Sequence, residues 1–354
     1  MSTETTARVA SGATDEARRV QGPVRGGLDL GGTKIEAIAV DRRNRVLGSA
    51  RRPTPTSGRP ADVAAELARA VSEACAKAGI EPHALSGVGV GSPGSVDPQT
   101  GAVANARNLP GWQDSFPLAE TLSSELGTSV RVGNDVQVAT DAEFKLGAGK
   151  PYRSILGVFW GTGVGGGLVL DRRPWLGRGA AGEIGHTVIK AGGRRCPCGR
   201  RGHVEAYAGR GAMEARARKL AENGKHTDLF HLMEERGRTR MTSSIWGRAL
   251  EHGDKLATEL IDEAIEALGT GIASAVNLLD IEAVVIGGGL GVRFGAPTVK
   301  RIAEAMAPHL FNDWRPPAVH VAALGDLGGA LGAALLVPRG GRKTFDAGAI
   351  RRDD

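Results

Sequence analysis

The feature that most constrains this chain is a short unit that occurs twice. Residues 27–30 form an apolar strand pattern that breaks at Gly31-Gly32-Thr33-Lys34, and Ile35-Glu36-Ala37-Ile38-Ala39-Val40 alternates as a returning strand. The second half repeats this order. A strand pattern over 154–160 meets the turn Gly161-Thr162-Gly163-Val164-Gly165-Gly166, and residues 167–170 read as the return strand. Further strands are predicted over 88–91, 128–132, 283–286 and 319–323. Apolar spacing near 3.6 predicts helices over 61–77, 136–146, 205–223, 254–279 and 328–337. Strands that alternate with helices and open on hairpins imply two similar α/β lobes, each with a mixed sheet, and a cleft between them. The 354 residues suffice for two such lobes. The expected division is a disordered leader over 1–24, an N-terminal lobe over 25–140, a C-terminal lobe over 141–327 and a frayed tail over 338–354. Helix 328–337 is expected to pack back on the first lobe.

Composition narrows the function. The 53 glycines are about twice the usual share and follow no Gly-X-Y period. Their clusters point to tight turns close to ligands. A net charge of +6 suits a phosphorylated anion as well as it suits RNA, but aromatics at 4% argue against a stacking platform for nucleic acid. No apolar run reaches the roughly 18–20 residues of a membrane span, and residues 1–22 lack the apolar core of a secretory signal. Three cysteines, an odd number, argue for a reducing compartment, so the expectation is a cytoplasmic protein with no membrane and no nucleic-acid partner.

The glycine turns carry the first chemical argument. A tight glycine turn presents successive N–H groups to an anion. Asp29, Gly31, Gly32 and Thr33 add a hydroxyl and a carboxylate that can hold Mg²⁺ through water, and Gly161, Thr162 and Gly163 offer a second cradle. Either turn alone reads as an ordinary hairpin; two at matching places favour a triphosphate. Gly161-x-Gly163-x-x-Gly166 matches the dinucleotide fingerprint in letters, but a strand follows it where that fingerprint needs a helix. Gly149-Lys150-Pro151 fails as a P-loop. Asn134-Asp135 opens a helix, where both residues are good N-caps. The sharper reading makes Asp135 a general base toward a sugar hydroxyl, with Asn134 on a neighbouring one.

His186, Cys196, Cys198 and His203 fall within eighteen residues and have the donor chemistry for a tetrahedral, structural Zn²⁺ in a loop over 186–203. Glu183 and Glu205 bracket the loop, and a paired set of carboxylates suits vicinal sugar hydroxyls.

Taken in order, Asp29-Leu30-Gly31-Gly32-Thr33-Lys34, Gly91-Ser92-Pro93-Gly94, Gly133-Asn134-Asp135, Gly161-Thr162-Gly163-Val164-Gly165-Gly166-Gly167, Gly182-Glu183-Ile184-Gly185-His186 and Cys196-x-Cys198-Gly199-x-x-Gly202-His203-x-Glu205 resemble the ROK family of repressors, open reading frames and sugar kinases. The resemblance runs from about Gly26 to about Val337. It implies a two-lobed actin/hexokinase-like (ribonuclease H-like) α/β fold with a central cleft, ATP–Mg²⁺ in that cleft and phosphorylation of a hexose 6-hydroxyl. By position it makes Asp135 the base. Asn134, Glu183, His186 and Glu205 would hold the sugar. Asp29, Gly31, Gly32, Thr33, Lys34, Thr162 and Gly163 would serve the phosphates and Mg²⁺, and Gly287-Gly288-Gly289 would lie near the adenosine. His186 would then give one ring nitrogen to zinc and the other to the sugar. The family usually has Cys where this chain has His203, which leaves a Cys₂His₂ set. Asn108-Leu109-Pro110-Gly111-Trp112 is similar to glucokinase-type members, so glucose is the expected acceptor. N-acetylglucosamine, N-acetylmannosamine or fructose are the alternative acceptors, polyphosphate the alternative donor, and a non-catalytic sugar-responsive regulator the alternative role. The polar segment before the first strand is too short for the regulators' helix-turn-helix module. A homodimer or higher homo-oligomer is the family-level expectation.

Overall fold

The structure is a computed structural model that describes residues 22–338 apart from Arg107. The first lobe runs β1 (Arg25–Leu30), β2 (Lys34–Val40), β3 (Val46–Pro53), α1 (Pro60–Ala78), β4 (Val88–Ser92), the short ribbon β5 (Ser95–Val96) and β6 (Val103–Ala104), α2 (Leu118–Leu126), β7 (Val130–Asn134) and α3 (Asp135–Leu146). Its sheet has the order β3-β2-β1-β4-β7, antiparallel across the two hairpin joints and parallel across the rest. The second lobe begins with β8 (Ile155–Trp160), β9 (Val164–Leu170) and β10 (Arg173–Pro174). It continues through α4 (Glu205–Ala208), α5 (Arg210–Glu222), α6 (Leu229–Glu235), α7 (Ser243–Glu251) and α8 (Lys255–Leu279), and ends with β11 (Ala283–Gly287), α9 (Gly288–Met306), β12 (Ala318–Val321) and α10 (Gly328–Leu335). Its sheet has the order β10-β9-β8-β11-β12 and the same pairing senses. The repeat seen in the hairpins therefore extends to two whole sheets.

Each sheet buries one face in its own core. Leu28, Leu30 and Val90 pack with Val63, Leu67 and Val71 of α1 and Leu118 and Leu122 of α2. Val158, Trp160 and Val284 pack with Leu260, Ile261, Leu268 and Ile272 of α8. The helix α8 starts where the Asp254 carboxylate accepts the Ala257 N–H at 2.8 Å, and it ends at Asp280, which takes up the left-handed conformation.

The opposite faces are covered by exchange. The helix α3 leaves the first sheet and lies on β8 and β9, and α10 leaves the second sheet and lies on β1 and β4. Glycines make this close approach possible. A Cβ at Gly27 or Gly89 would overlap the α10 backbone, at Gly157 or Gly167 it would overlap Thr140 of α3, and at Gly332 it would overlap the Val138 carbonyl where the two helices cross. These glycines thus serve helix packing, where composition had suggested ligand turns. The Glu143 carboxylate of α3 accepts the N–H groups of Ala148 and Ala323, both at 3.0 Å, and of Leu324 at 2.9 Å, which ties α3 to the strand exit before α10.

The boundary expected at 140/141 falls inside α3. The expected leader (beyond residues 22–24) and the expected tail (beyond Pro338) lie outside the described residues. Among those described, no helix is long and apolar enough to cross a membrane.

Candidate active site

The site grows from the start of α3. The Asn134 side chain accepts the N–H groups of Val136 at 3.1 Å and Gln137 at 3.2 Å, so it is the N-cap, and Asp135 is the first helical residue. The position is fixed from both sides. A Cβ at Gly91 of β4 would come 3.4 Å from Asp135 Cα, and one at Gly165 of β9 would meet the neighbouring Val136 side chain. The half-buried Asp135 therefore stands between the two sheets. Its carboxyl is raised to about 7, first by burial and then by the charge of Asp29; the N–H of Val136 opposes this and Glu183 adds to it. Asp29, at the end of β1, is raised to about 6 by burial, with Lys34 opposing and Glu36 adding. Among the described residues neither carboxylate has an ion-pair partner. Two desolvated acids, one of them raised further by the charge of the other, form a site short of positive charge, and oxygen donors of this kind suit Mg²⁺.

The first turn, Gly31-Gly32-Thr33, is closed by the Gly31 N–H donating to the Lys34 carbonyl at 3.0 Å. Thr54 braces it by donating to the Gly31 carbonyl at 2.6 Å. Thr33 is exposed, and the Asn108 side chain lies against Gly32. The Lys34 ammonium is shared by Glu36 at 3.2 Å and Asp326 at 3.6 Å. The second turn is closed by the Gly161 N–H donating to the Gly163 carbonyl at 2.9 Å, with Thr162 exposed at its tip. Gly288 has φ +77° and sits against the Trp160 backbone, which brings the Gly287-Gly288-Gly289 turn beside Gly161.

The run Gly165-Gly166-Gly167 belongs to β9 and is not a continuation of that turn. Gly165 faces Val136, Gly166 faces the Gly182 carbonyl and Ile184, and Gly167 faces α3. The missing side chains at Gly165 and Gly167 let α3 lie against β9, and that at Gly166 lets the loop bearing Glu183 and His186 pack against the strand.

Glu205, at the start of α4, joins the second turn to the His/Cys cluster. One carboxylate oxygen accepts the Val164 N–H at 2.9 Å, and the other lies 3.6 Å from the Cys196 sulfur. His186 Nδ1 is 3.9 Å from Cys196 Sγ, and His203 Nδ1 is 3.3 Å from Cys198 Sγ. All four ligand atoms lie within 4.8 Å of one another. Tetrahedral Zn²⁺ with bonds of about 2.3 Å to sulfur and 2.0 Å to nitrogen implies S···N separations of about 3.5 Å, so the donor set fits that ion. The other nitrogen of His186, Nε2, faces Glu183 Oε2 at 4.0 Å.

The structure thus gathers Asp29, Asn134, Asp135, Glu183, His186 and Glu205 with both glycine turns. One polar residue here escaped the sequence. A single helix was expected over 205–223, but Gly209 has non-helical ψ 129° and splits it into α4 and α5. The split puts Arg210 at the start of α5, where its guanidinium donates to Thr162 Oγ1 at 2.9 Å.

Two lobes of duplicated topology around this crevice define an actin/hexokinase-like α/β protein. The chain belongs to the ROK family, whose model matches residues 25–340. It is 32% identical to a glucokinase of Streptomyces coelicolor over 87% of this chain and 95% of that one. It is also 32% identical to an N-acetyl-D-glucosamine kinase of Salmonella paratyphi C, over 88% and 98% respectively. A ROK family glucokinase from Streptomyces griseus, solved in complex with glucose and AMPPNP, superposes with a TM-score of 0.77 at 30% identity, covering 90% of this chain and 100% of that one.

Proposed function

We propose that this chain is an ATP-dependent hexokinase that phosphorylates the 6-hydroxyl of glucose. The observation that carries the reading is the Asp135 carboxyl, at the helix start held between β4 and β9 and raised to about 7. A base with that pKa is matched to neutral pH. The O6 oxygen attacks the γ-phosphorus, the bond from that phosphorus to the β,γ-bridging oxygen breaks, and the O6 proton passes to Asp135. Positioning and charge stabilisation supply most of the rate in such transfers. Glu183, Glu205 and His186 Nε2 are the groups we assign to the sugar hydroxyls. The Oδ1 of Asn134 is used by the helix cap, which leaves its Nδ2 for a hydroxyl. The amides of Gly31-Gly32-Thr33 and Gly161-Thr162-Gly163, with Gly287-Gly288-Gly289, are assigned to the nucleotide. Asp29 is the residue that would hold Mg²⁺, whose chemistry is to neutralise charge on the phosphates. His186 Nδ1, Cys196, Cys198 and His203 would hold a structural Zn²⁺ with no open position.

The similarity to an N-acetylglucosamine kinase favours a second reading with the same chemistry and an amino sugar as acceptor. A panel of glucose, mannose, fructose and the N-acetylated hexosamines, assayed with ATP by coupled ADP release, decides between them. Glucose is expected to give the highest kcat/KM. An N-acetylhexosamine preferred tenfold over glucose replaces the first reading by the second, and no ADP release with any sugar removes both.

A further inference from the structure

Arg210 has no assignment in the chemistry above, yet its surroundings resemble half of a binding site. Its backbone N–H donates to the Gly161 carbonyl at 3.1 Å, and the next N–H, of Gly211, donates to the Thr162 carbonyl at 3.0 Å. The start of α5 is thereby bolted to the second glycine turn. The guanidinium donates to Thr162 Oγ1 at 2.9 Å, and a Cβ at Gly289 would lie 4.0 Å from its other terminal nitrogen. Arg210 therefore reaches from one glycine turn to the other.

Its charge is uncompensated. Among the described residues no carboxylate is within ion-pair distance of Arg210. Glu214, one turn on, is engaged by Arg218 at 2.8 Å and by the Met241 N–H at 2.9 Å. Burial lowers the Arg210 pKa, the neighbouring positive charge of Arg240 lowers it further, and Glu214 only partly offsets this. A half-buried guanidinium beside a second cation and without an acid is destabilising unless an anion joins it. A planar fork that has spent one nitrogen on Thr162 keeps other N–H groups for phosphate oxygens.

We propose that Arg210 is a donor-phosphate ligand, its guanidinium held by Thr162 and taking a non-bridging phosphate oxygen of the nucleotide between the Gly161–Gly163 and Gly287–Gly289 turns. The assignment rests on the kinase reading for the identity of the anion. It divides the donor site into backbone amides that follow the shape of the phosphate chain and one side chain that supplies charge.

The test is calorimetric binding of MgATP, of adenosine and of glucose, in separate titrations, to the full chain and to Arg210→Gln and Arg210→Lys. Arg210→Gln is expected to weaken MgATP by about ten- to hundredfold, the scale of one charge-assisted hydrogen bond. Adenosine and glucose affinities are expected to stay within about twofold, since neither ligand carries phosphate. Arg210→Lys keeps the charge and loses the fork, and is expected to fall between wild type and Gln. MgATP binding within twofold of wild type in the Gln variant overturns the proposal. So does equal weakening of MgATP, adenosine and glucose, which marks a brace for the Thr162 turn. If the Gln variant does not fold, the Lys variant decides by the same ratio of MgATP to adenosine loss. A wild-type chain that binds MgATP in this Arg210-dependent way but phosphorylates no sugar overturns the kinase reading and leaves this one standing. A wild-type chain that binds no nucleotide overturns both.

Discussion

The two sheets share one strand order, yet their opening turns are chemically opposite. The first turn follows Asp29, and Asp29 and Asp135 are two carboxyls raised by burial, Asp135 further by the charge of Asp29. The second carries Thr162 and is gripped by the unpaired Arg210. One topology thus yields an acidic end that suits a divalent cation and an acceptor hydroxyl, and a basic end that suits an anion. The lobes also differ in what they insert. In the first, β3 passes to α1 within a few residues. In the second, the segment from β10 to α8 holds the His/Cys cluster, Glu205 and Arg210. The duplicated sheet supplies the cleft and the acidic end, and the insertion in one copy supplies Arg210 at the basic end together with Glu205 and the His/Cys cluster.

Four outcomes break or sharpen this contrast. The largest effect concerns the insertion. Purified protein is expected to contain one zinc per chain by elemental analysis. With zinc at a thousandfold its Kd, metal linkage is worth about 4 kcal/mol, so a strong chelator is expected to lower Tm by on the order of 10 °C. Cys198→Ser should reproduce this, and metal-free protein with an unchanged Tm rejects the zinc assignment. Next come the glycines, which separate packing from binding. Gly89→Ala places a Cβ on the Ala333 carbonyl and should cost about 3 kcal/mol, read as a lower urea midpoint. Gly161→Ala meets nothing nearer than 4.0 Å and should leave stability within about 0.5 kcal/mol while raising the ATP KM about tenfold. Similar stability losses for both would erase the distinction.

A smaller effect is the pH dependence of the acidic end. Asp135 has a folded pKa of about 7 against an ordinary 3.8, so the folded state retains a proton that the unfolded state has lost between those values. Stability contributed by this group therefore falls as pH rises from about 4 through about 7. Asp135→Asn removes that loss. Without magnesium it should be more stable than wild type at pH 8 by on the order of 1–2 kcal/mol, a Tm gain of a few degrees, and the gap should narrow at pH 5. A gap that does not change with pH contradicts a buried Asp135 carboxyl raised by desolvation and by Asp29. Smallest is the neighbouring brace: Thr54→Val removes the hydroxyl held by the Gly31 carbonyl and should cost about 1 kcal/mol in thermal melts. A neutral result would mean that the first turn holds its shape unaided.

What could be read from the chain follows the range of each signal. The hairpins and the helix cap at Asn134 are local patterns with local physical causes, and each lies where it was expected, while His186, Cys196, Cys198 and His203, close in sequence, come within 4.8 Å of one another. Other elements carried no local signature. The helix α9 opens on three glycines and is interrupted at Gly295, with Pro297 just beyond, so propensity argues against it; burial of Leu290, Val299 and Ile302 holds it in place. The strand β3 reads as Arg-rich and polar because it is the edge of its sheet, with Arg51 and Arg52 paired to Glu36 and Glu66. The packing role of the glycines in β4, β8 and β9 had no local signature because its cause, a helix from the other lobe, is distant in sequence; Gly165 and Gly166 read as part of the turn for the same reason. Arg210 was hidden by a single glycine that breaks a helix otherwise continuous in pattern.

The central claim is that Asp135, the acid at the start of α3, takes the acceptor proton. Its most direct test compares sugar affinity and turnover in wild type and Asp135→Asn. The account predicts a glucose Kd within a few fold of wild type and a kcat lower by about 10²–10⁴. A kcat within tenfold of wild type, at unchanged glucose affinity, contradicts it.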